Sequence, residues 1–100
     1  MDPGRSDIFI ADVVSTIAGR DAGQLFYVTG AEQQYLYLVN GKDRTLEKPK
    51  RKKRKHVQMV LRSETRVAQK LRAGDKVLNG ELRRDLASIS RDMQGNNLGG

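Results

Sequence analysis

Seven basic residues, Lys48 and Lys50 through Lys55, fill eight positions with only Pro49 among them. Each cationic side chain can neutralise a phosphate and release a condensed counterion, so this cluster predicts strong, salt-sensitive affinity for nucleic acid. Arg51 and Arg54 add planar forks that grip phosphate or stack on exposed bases, which lysine does less well. Like charges at this density repel one another, and a bound anion would relieve that. The same composition also serves as a solvated charge run or as a nuclear import signal, whose form "PKRKKRK" matches. The net charge of +7 lies in this neighbourhood alone. Between Lys42 and His56 there are nine Lys or Arg against Asp43 and Glu47, while ten basic and ten acidic residues cancel elsewhere. One concentrated block points to a site, not to general solubility.

Other reactive groups are sparse. "AGRDAG" (18–23) is glycine-rich, but the Gly-Lys-Ser or Gly-Lys-Thr of a phosphate loop does not follow. Gly19 and Gly23 permit a tight bend, Asp21 can hydrogen-bond nearby backbone, and Arg20 is an exposed candidate for RNA contact. His56 is the one histidine and there is no cysteine, so neither a metal set nor a disulfide framework is available. No nucleophile, paired-carboxylate or nucleotide motif appears. An enzyme is not expected, and no cofactor or small-molecule substrate is called for. The aromatic residues are Phe9, Phe26, Tyr27, Tyr35 and Tyr37. Phe9 and Phe26 read as core, whereas Tyr27, Tyr35 and Tyr37 are candidates for stacking on bases. Phe26 and Tyr27, being consecutive in a strand, must face opposite sides.

The elements that would position these groups are short strands. "IFIADVVST", "LFYVT" (25–29), "YLYLV" (35–39) and "HVQMVL" (56–61) are rich in β-branched, aromatic and aliphatic residues. Asn40-Gly41 has the chemistry of a type I′ hairpin turn, which predicts a fourth strand over about 43–47. The basic run then becomes a loop between strands four and five, with Val57, Met59 and Leu61 on one strand face. Five strands in so few residues predict a mainly β fold, a small closed barrel spanning 8–61. Residues 1–7 read as a flexible lead and 62–92 as a helical extension. A weak helix starts near Ser63, and a better one is capped by Asn79 with Leu82, Leu86 and Ile89 in a stripe. Residues 93–100 read as a disordered tail. No apolar run approaches about 18 residues and the N-terminus is no signal peptide, so a soluble cytoplasmic protein without membrane contact is expected.

"VVSTIAGRDAGQLFYV" (13–28) resembles a KOW motif, the strand–glycine turn–strand element of ribosomal proteins and transcription-elongation factors. With "VNGKDRTLEKPKRKKRKH" the chain is similar to small KOW-domain RNA-binding proteins of Gram-positive bacteria. Those are related to the eukaryotic and archaeal large-subunit ribosomal proteins of the fourteen-e class. The resemblance covers residues 8–61, and "NGELRRDL" also looks like the helical end of the bacterial members. It implies an SH3-like barrel that binds RNA, ribosomal RNA above all, with ribosomal proteins as further neighbours and a role in translation. Gly19, Arg20, Asp21 and Gly23 match the family turn, and Lys42 and Arg44 match its hairpin. Lys48, Pro49, Lys50, Lys53, Lys55 and His56 match its basic signature. Arg51, Lys52 and Arg54 share that run and are expected to contact phosphate with it. Asn40 and Gly41 form the turn, Asn40 standing where the family often has Asp. Ala11 stands where the family often has Gly. The readings from other classes are a protein-interaction module of transcription, using the apolar barrel face and the Leu82–Leu86–Ile89 helix, and a nuclear protein with an import signal.

Overall fold

A computed structural model describes residues 8–20 and 22–99 of the chain. The expected lead at 1–7 and the turn role of Asp21 fall outside them. Five antiparallel strands form one sheet: β1 (Asp12–Thr16), β2 (Leu25–Ala31), β3 (Tyr35–Val39), β4 (Lys50–Lys53) and β5 (Val57–Arg62). Their order is β4-β3-β2-β1-β5. Two helices follow, α1 (Arg66–Ala73) and α2 (Asn79–Gly99). Helix α2 thus runs on past Met93 through the segment read as a tail.

The fourth strand is the main correction. Residues 43–47 form bends and turns, with one isolated bridge between Thr45 and Lys48, and the strand is the basic run itself. Lys50–Lys53 pairs with β3 in the register Leu38↔Lys50, Leu36↔Lys52, Tyr37↔Arg51 and Tyr35↔Lys53. The type I′ turn is absent because Asn40 does not adopt a positive φ; only Gly41 does, at 78°. Asn40 instead uses its side chain. Its Oδ1 accepts the backbone N–H groups of Lys42 and Arg44, each at 3.0 Å, and its amide donates to Asp43 at 2.8 Å. That makes a wider loop, closed where Arg44 O accepts the N–H groups of Asn40 and Gly41.

The sheet is open by hydrogen bonding, since β4 and β5 are its two edges. It is nonetheless strongly curled. One 3₁₀ turn of three residues, Arg54–His56, joins β4 to β5. At about 2 Å rise per residue that turn spans roughly 6 Å. Four strand spacings in a flat sheet would separate the edges by roughly 19 Å. Two bulges supply curvature, one at Val60 opposite Val13/Val14 and one at Thr29 opposite Leu38/Tyr37. The Val60 bulge also reverses the face of Leu61, so Val57 and Met59 line the inner core while Leu61 packs on the helix side.

Because strand residues alternate, the sheet has two apolar faces. Inside the curl lie Ile8, Val14, Phe26, Val28, Leu36, Leu38 and Val57. On the outer face Ala11, Val13, Tyr27 and Val39 pack against Val67, Ala68, Val77, Leu82, Leu86 and Ile89. Phe26 and Tyr27 are both fully buried, on opposite sides. Phe9 is not core: it is 55% exposed, because the chain turns at Ala11 before β1 begins. Ala11 has φ 74°, a left-handed conformation that suits glycine. Asp12 is buried there, accepting the Phe9 N–H at 2.8 Å and pairing with Arg62 Nε at 3.2 Å.

The helices are held by side chains more than by the caps read from sequence. Thr65, not Ser63, caps α1, its hydroxyl accepting the Ala68 N–H at 3.2 Å. Asn79 reaches back to the 40s loop, its Oδ1 accepting the Leu46 N–H at 2.8 Å and its amide donating to Glu47 at 2.9 Å. Glu81 performs the capping role instead, accepting the Leu78 N–H at 3.0 Å and the Lys70 ammonium at 2.8 Å. Gly41 lies against this helix start: a Cβ added to it would stand 2.2 Å from Asn79 O and 3.1 Å from Arg83 N. Gly41→Ala is therefore expected to cost at least about 2 kcal/mol, combining left-handed strain with overpacking. Gly23→Ala shares the positive φ but has open space around it, and should cost only about 1 kcal/mol. Urea unfolding midpoints of the two variants check the difference.

Candidate nucleic-acid interface

Strand alternation divides the basic run into two rows. Directly paired residues share a face, so Lys50 and Lys52 lie on the side of Leu38 and Leu36, toward the inner face. Arg51 and Lys53 lie on the outer face with Tyr37 and Tyr35. The helices cover the Val13–Tyr27–Val39 part of that outer face. Tyr35 and Tyr37 remain half-buried, and Arg51 and Lys53 are exposed.

On the outer row Arg51 is already stacked, its Cζ 3.7 Å from the centre of the Tyr35 ring. This is close cation–π geometry. Its Nε is also 3.9 Å from Glu32 Oε1, an exposed pair that adds orientation and little energy. Tyr37 lies over Gly30, where an added Cβ would be 3.1 Å from its Cδ2. Neither ring is thus bare on both faces: the guanidinium plane of Arg51 covers Tyr35, and Gly30 lies against Tyr37. Beyond Lys53, a shallow cavity of about 360 Å³ is lined by Gln33, Gln34, Lys53, Arg54 and Lys55. Arg54 is partly structural, donating through Nε to Glu32 O at 3.0 Å and through Nη1 to Ile8 O at 3.3 Å.

On the inner row, Lys52 Nζ lies 3.5 Å from where a Cβ would stand on Gly19. The glycine turn is thereby brought to the basic strand. Gly19 and Gly23 have φ of 93° and 88°, as a tight bend requires, and Arg20 is exposed in it. Lys42 is exposed at a separate cavity of about 450 Å³ that it shares with Gly23, Gln24, Asn40 and Arg83. Arg44 is half-buried at the closure of the 40s loop, and Lys48 is exposed before β4. His56 is half-buried in the 3₁₀ turn, where its carbonyl accepts the Ile17 N–H at 3.0 Å. Glu32, Gln33 and Gln34 escaped the sequence reading because "GAEQQ" carries no signal beyond that of a polar turn.

Tyr27 is a correction. It is fully buried and cannot stack on a base. Its hydroxyl donates to Asp85 Oδ2 and meets Ser63 Oγ at 2.9 Å and Thr65 Oγ1 at 3.2 Å. Thr65 also donates to Asp85 at 2.9 Å. One phenol thus ties β2 to the start of α1 and the middle of α2. Burial, reinforced by the Asp85 hydrogen bond, pushes the phenol up to about 12. Among the described residues no group of three or more His, Cys, Asp or Glu could hold a metal ion, and no helix is long and apolar enough to cross a membrane. The chain matches no protein-family model and no curated protein at a significant level.

The raised phenol sets an alkaline limit. Unfolded Tyr27 loses its proton near pH 10 while folded Tyr27 keeps it to about 12, so the unfolded state is favoured as pH rises across that window. Stability present below pH 10 should fall by roughly 2–3 kcal/mol by pH 12. Tyr27→Phe should be about 1–2 kcal/mol less stable at neutral pH and should lack that alkaline component. Denaturant unfolding from pH 8 to 12 checks both.

Proposed function

We propose that this chain is an RNA-binding protein that works with the ribosome in the cytoplasm, in translation, and grips the backbone of structured ribosomal RNA. We further propose that its fold is a small SH3-like barrel of the KOW type. The carrying observation is β4: four consecutive cations held as an ordered edge strand, with Arg51 pre-stacked on Tyr35. A flexible arm must be ordered when it binds, at an entropic cost; a paired strand has already met most of it. The barrel reading is supported by the strand order and by the three-residue turn that draws the two edge strands together. Arg20, Lys48 and Lys55 extend the cationic surface, and recognition by shape fits a site with no helix aimed at base edges.

Two observations weigh against the other readings. An import signal needs an extended, accessible segment, whereas Lys50–Lys53 is hydrogen-bonded to β3. The Leu82–Leu86–Ile89 stripe that would serve a protein partner is buried against the chain's own sheet.

The test is affinity for a ribosomal RNA hairpin and for a length-matched DNA duplex across a salt series. Wild type is compared with a variant carrying Lys50→Gln, Arg51→Gln, Lys52→Gln and Lys53→Gln, with Arg54 retained for its backbone contacts. RNA should bind more tightly than DNA, and the variant should lose about 3 units of salt slope, at roughly 0.7–0.9 per phosphate contact. Equal weak binding to both nucleic acids, or a variant indistinguishable from wild type, would contradict the proposal.

A further inference from the structure

Resting on the RNA-binding reading, the geometry points to a more specific ligand: we infer that the cavity at the end of β4 receives one unpaired nucleotide of the RNA. Gln33 and Gln34 reach it from the turn between β2 and β3, Lys53 from the end of β4, and Arg54 and Lys55 from the 3₁₀ turn. The backbone joins the two turns, since Gln34 O accepts the Arg54 N–H at 2.9 Å. The Arg54 side chain is held as well, its Nε donating to Glu32 O at 3.0 Å and its Nη1 to Ile8 O at 3.3 Å. A guanidinium carries more N–H donors than these bonds use, so its plane is fixed while part of it stays available to an anion. Lys53 and Lys55, its neighbours in sequence, are exposed. This set suits a phosphate, and its arginine is ordered before anything binds.

The glutamines make the ligand more than a phosphate. Both are exposed, and each primary amide presents a donor and an acceptor together. Cations alone would serve a backbone, whereas that pairing matches the edge of a base, as glutamine does with adenine. In RNA such an edge is open to a side chain where the nucleotide is unpaired, because the A-form major groove is too deep and narrow to enter. The cavity, at about 360 Å³, is of the size of small-ligand sites. It is approached along the outer row: Arg51 and Lys53 share that face with Tyr37 and Tyr35, and Lys53 belongs to both the row and the cavity. A backbone that follows these two cations is led to the cavity, which favours a nucleotide within an RNA chain over a free one. The inner face of the sheet, filled by its own core, takes no part.

The test compares an RNA hairpin carrying one bulged adenosine in its stem with the same hairpin fully paired. Wild type is set against a double variant, Gln33→Ala with Gln34→Ala. Wild type should bind the bulged hairpin roughly tenfold more tightly, the scale of one amide–base pairing. The double variant should bind both hairpins equally, and its salt slope on the paired one should equal that of wild type, because no charge is lost. It alters exposed side chains and keeps the Gln34 carbonyl, so that unchanged slope also reports a folded protein. Lys55→Gln should lower the slope on the bulged hairpin by about 0.7–0.9. No change there would take the phosphate out of the cavity and overturn the site. Equal affinity of wild type for the two hairpins, or a preference that survives in the double variant, overturns the site while salt-sensitive RNA binding stands. Adenosine monophosphate equimolar with the RNA should leave the preference intact; its loss would assign the cavity to a free nucleotide instead. If wild type binds neither hairpin more tightly than a length-matched DNA duplex, the RNA-binding reading fails and the site with it.

Discussion

The arrangement of the basic run depends on the pairing of Lys50–Lys53 with Tyr35–Leu38. Four adjacent cations in a strand repel one another, yet the pleat sends alternate charges to opposite faces and so lengthens the distance between neighbours on a face. Aromatic and aliphatic partners on β3 supply what the charged strand lacks. Leu36 and Leu38 give the lysine stems an apolar surface, while the Tyr35 ring and the Glu32 carboxylate receive Arg51. Lysine on an exposed edge also discourages further strand pairing, so the residues that suit an anionic ligand also protect the sheet from itself.

The rest of the fold fixes where that edge lies. A sheet with apolar residues on both faces needs two covers. Curling supplies the inner one, and the helices supply the outer one as far as Tyr27 and Val39. The helices stop short of Tyr35 and Tyr37, which leaves an uncovered half of the outer face beside Arg51 and Lys53. Tyr27 fixes where the cover ends. Its buried hydroxyl joins Ser63, Thr65 and Asp85, so the two helices and β2 hold one arrangement. Asn79 and Gly41 fasten the other end of α2 to the loop that leads into β4.

Much of this was legible in the sequence. The β-branched runs marked β1, β2, β3 and β5, the paired glycines marked the turn at 19–23, and Leu82, Leu86 and Ile89 marked the buried face of α2. What escaped was long-range. Lys50–Lys53 has neither apolar alternation nor high strand propensity; its strand character comes from β3, which the local pattern cannot display. Asn40-Gly41 has hairpin chemistry, but the required positive φ occurs only at Gly41, and Asn40 instead shapes a wider loop by accepting the Lys42 and Arg44 N–H groups with its side chain. Phe9 looked like core until the chain turned at Ala11, a residue whose side chain argues against that turn. The face of Leu61 depended on a bulge, and one extra residue inverts everything beyond it. The basic cluster was legible in composition, and its division into two rows was not.

Amide hydrogen exchange of the free protein, resolved by residue across 46–58, would examine the ordered edge without any ligand. With β4 paired as described, the amides of Lys50–Lys53 that face β3 should be protected far above random-coil rates, along with those of Tyr35–Val39. Random-coil exchange throughout 48–55, in a protein whose β1, β2 and β3 amides stay protected, would contradict this. The basic run would then be an unpaired loop, and neither the pre-ordered site nor its two rows would exist.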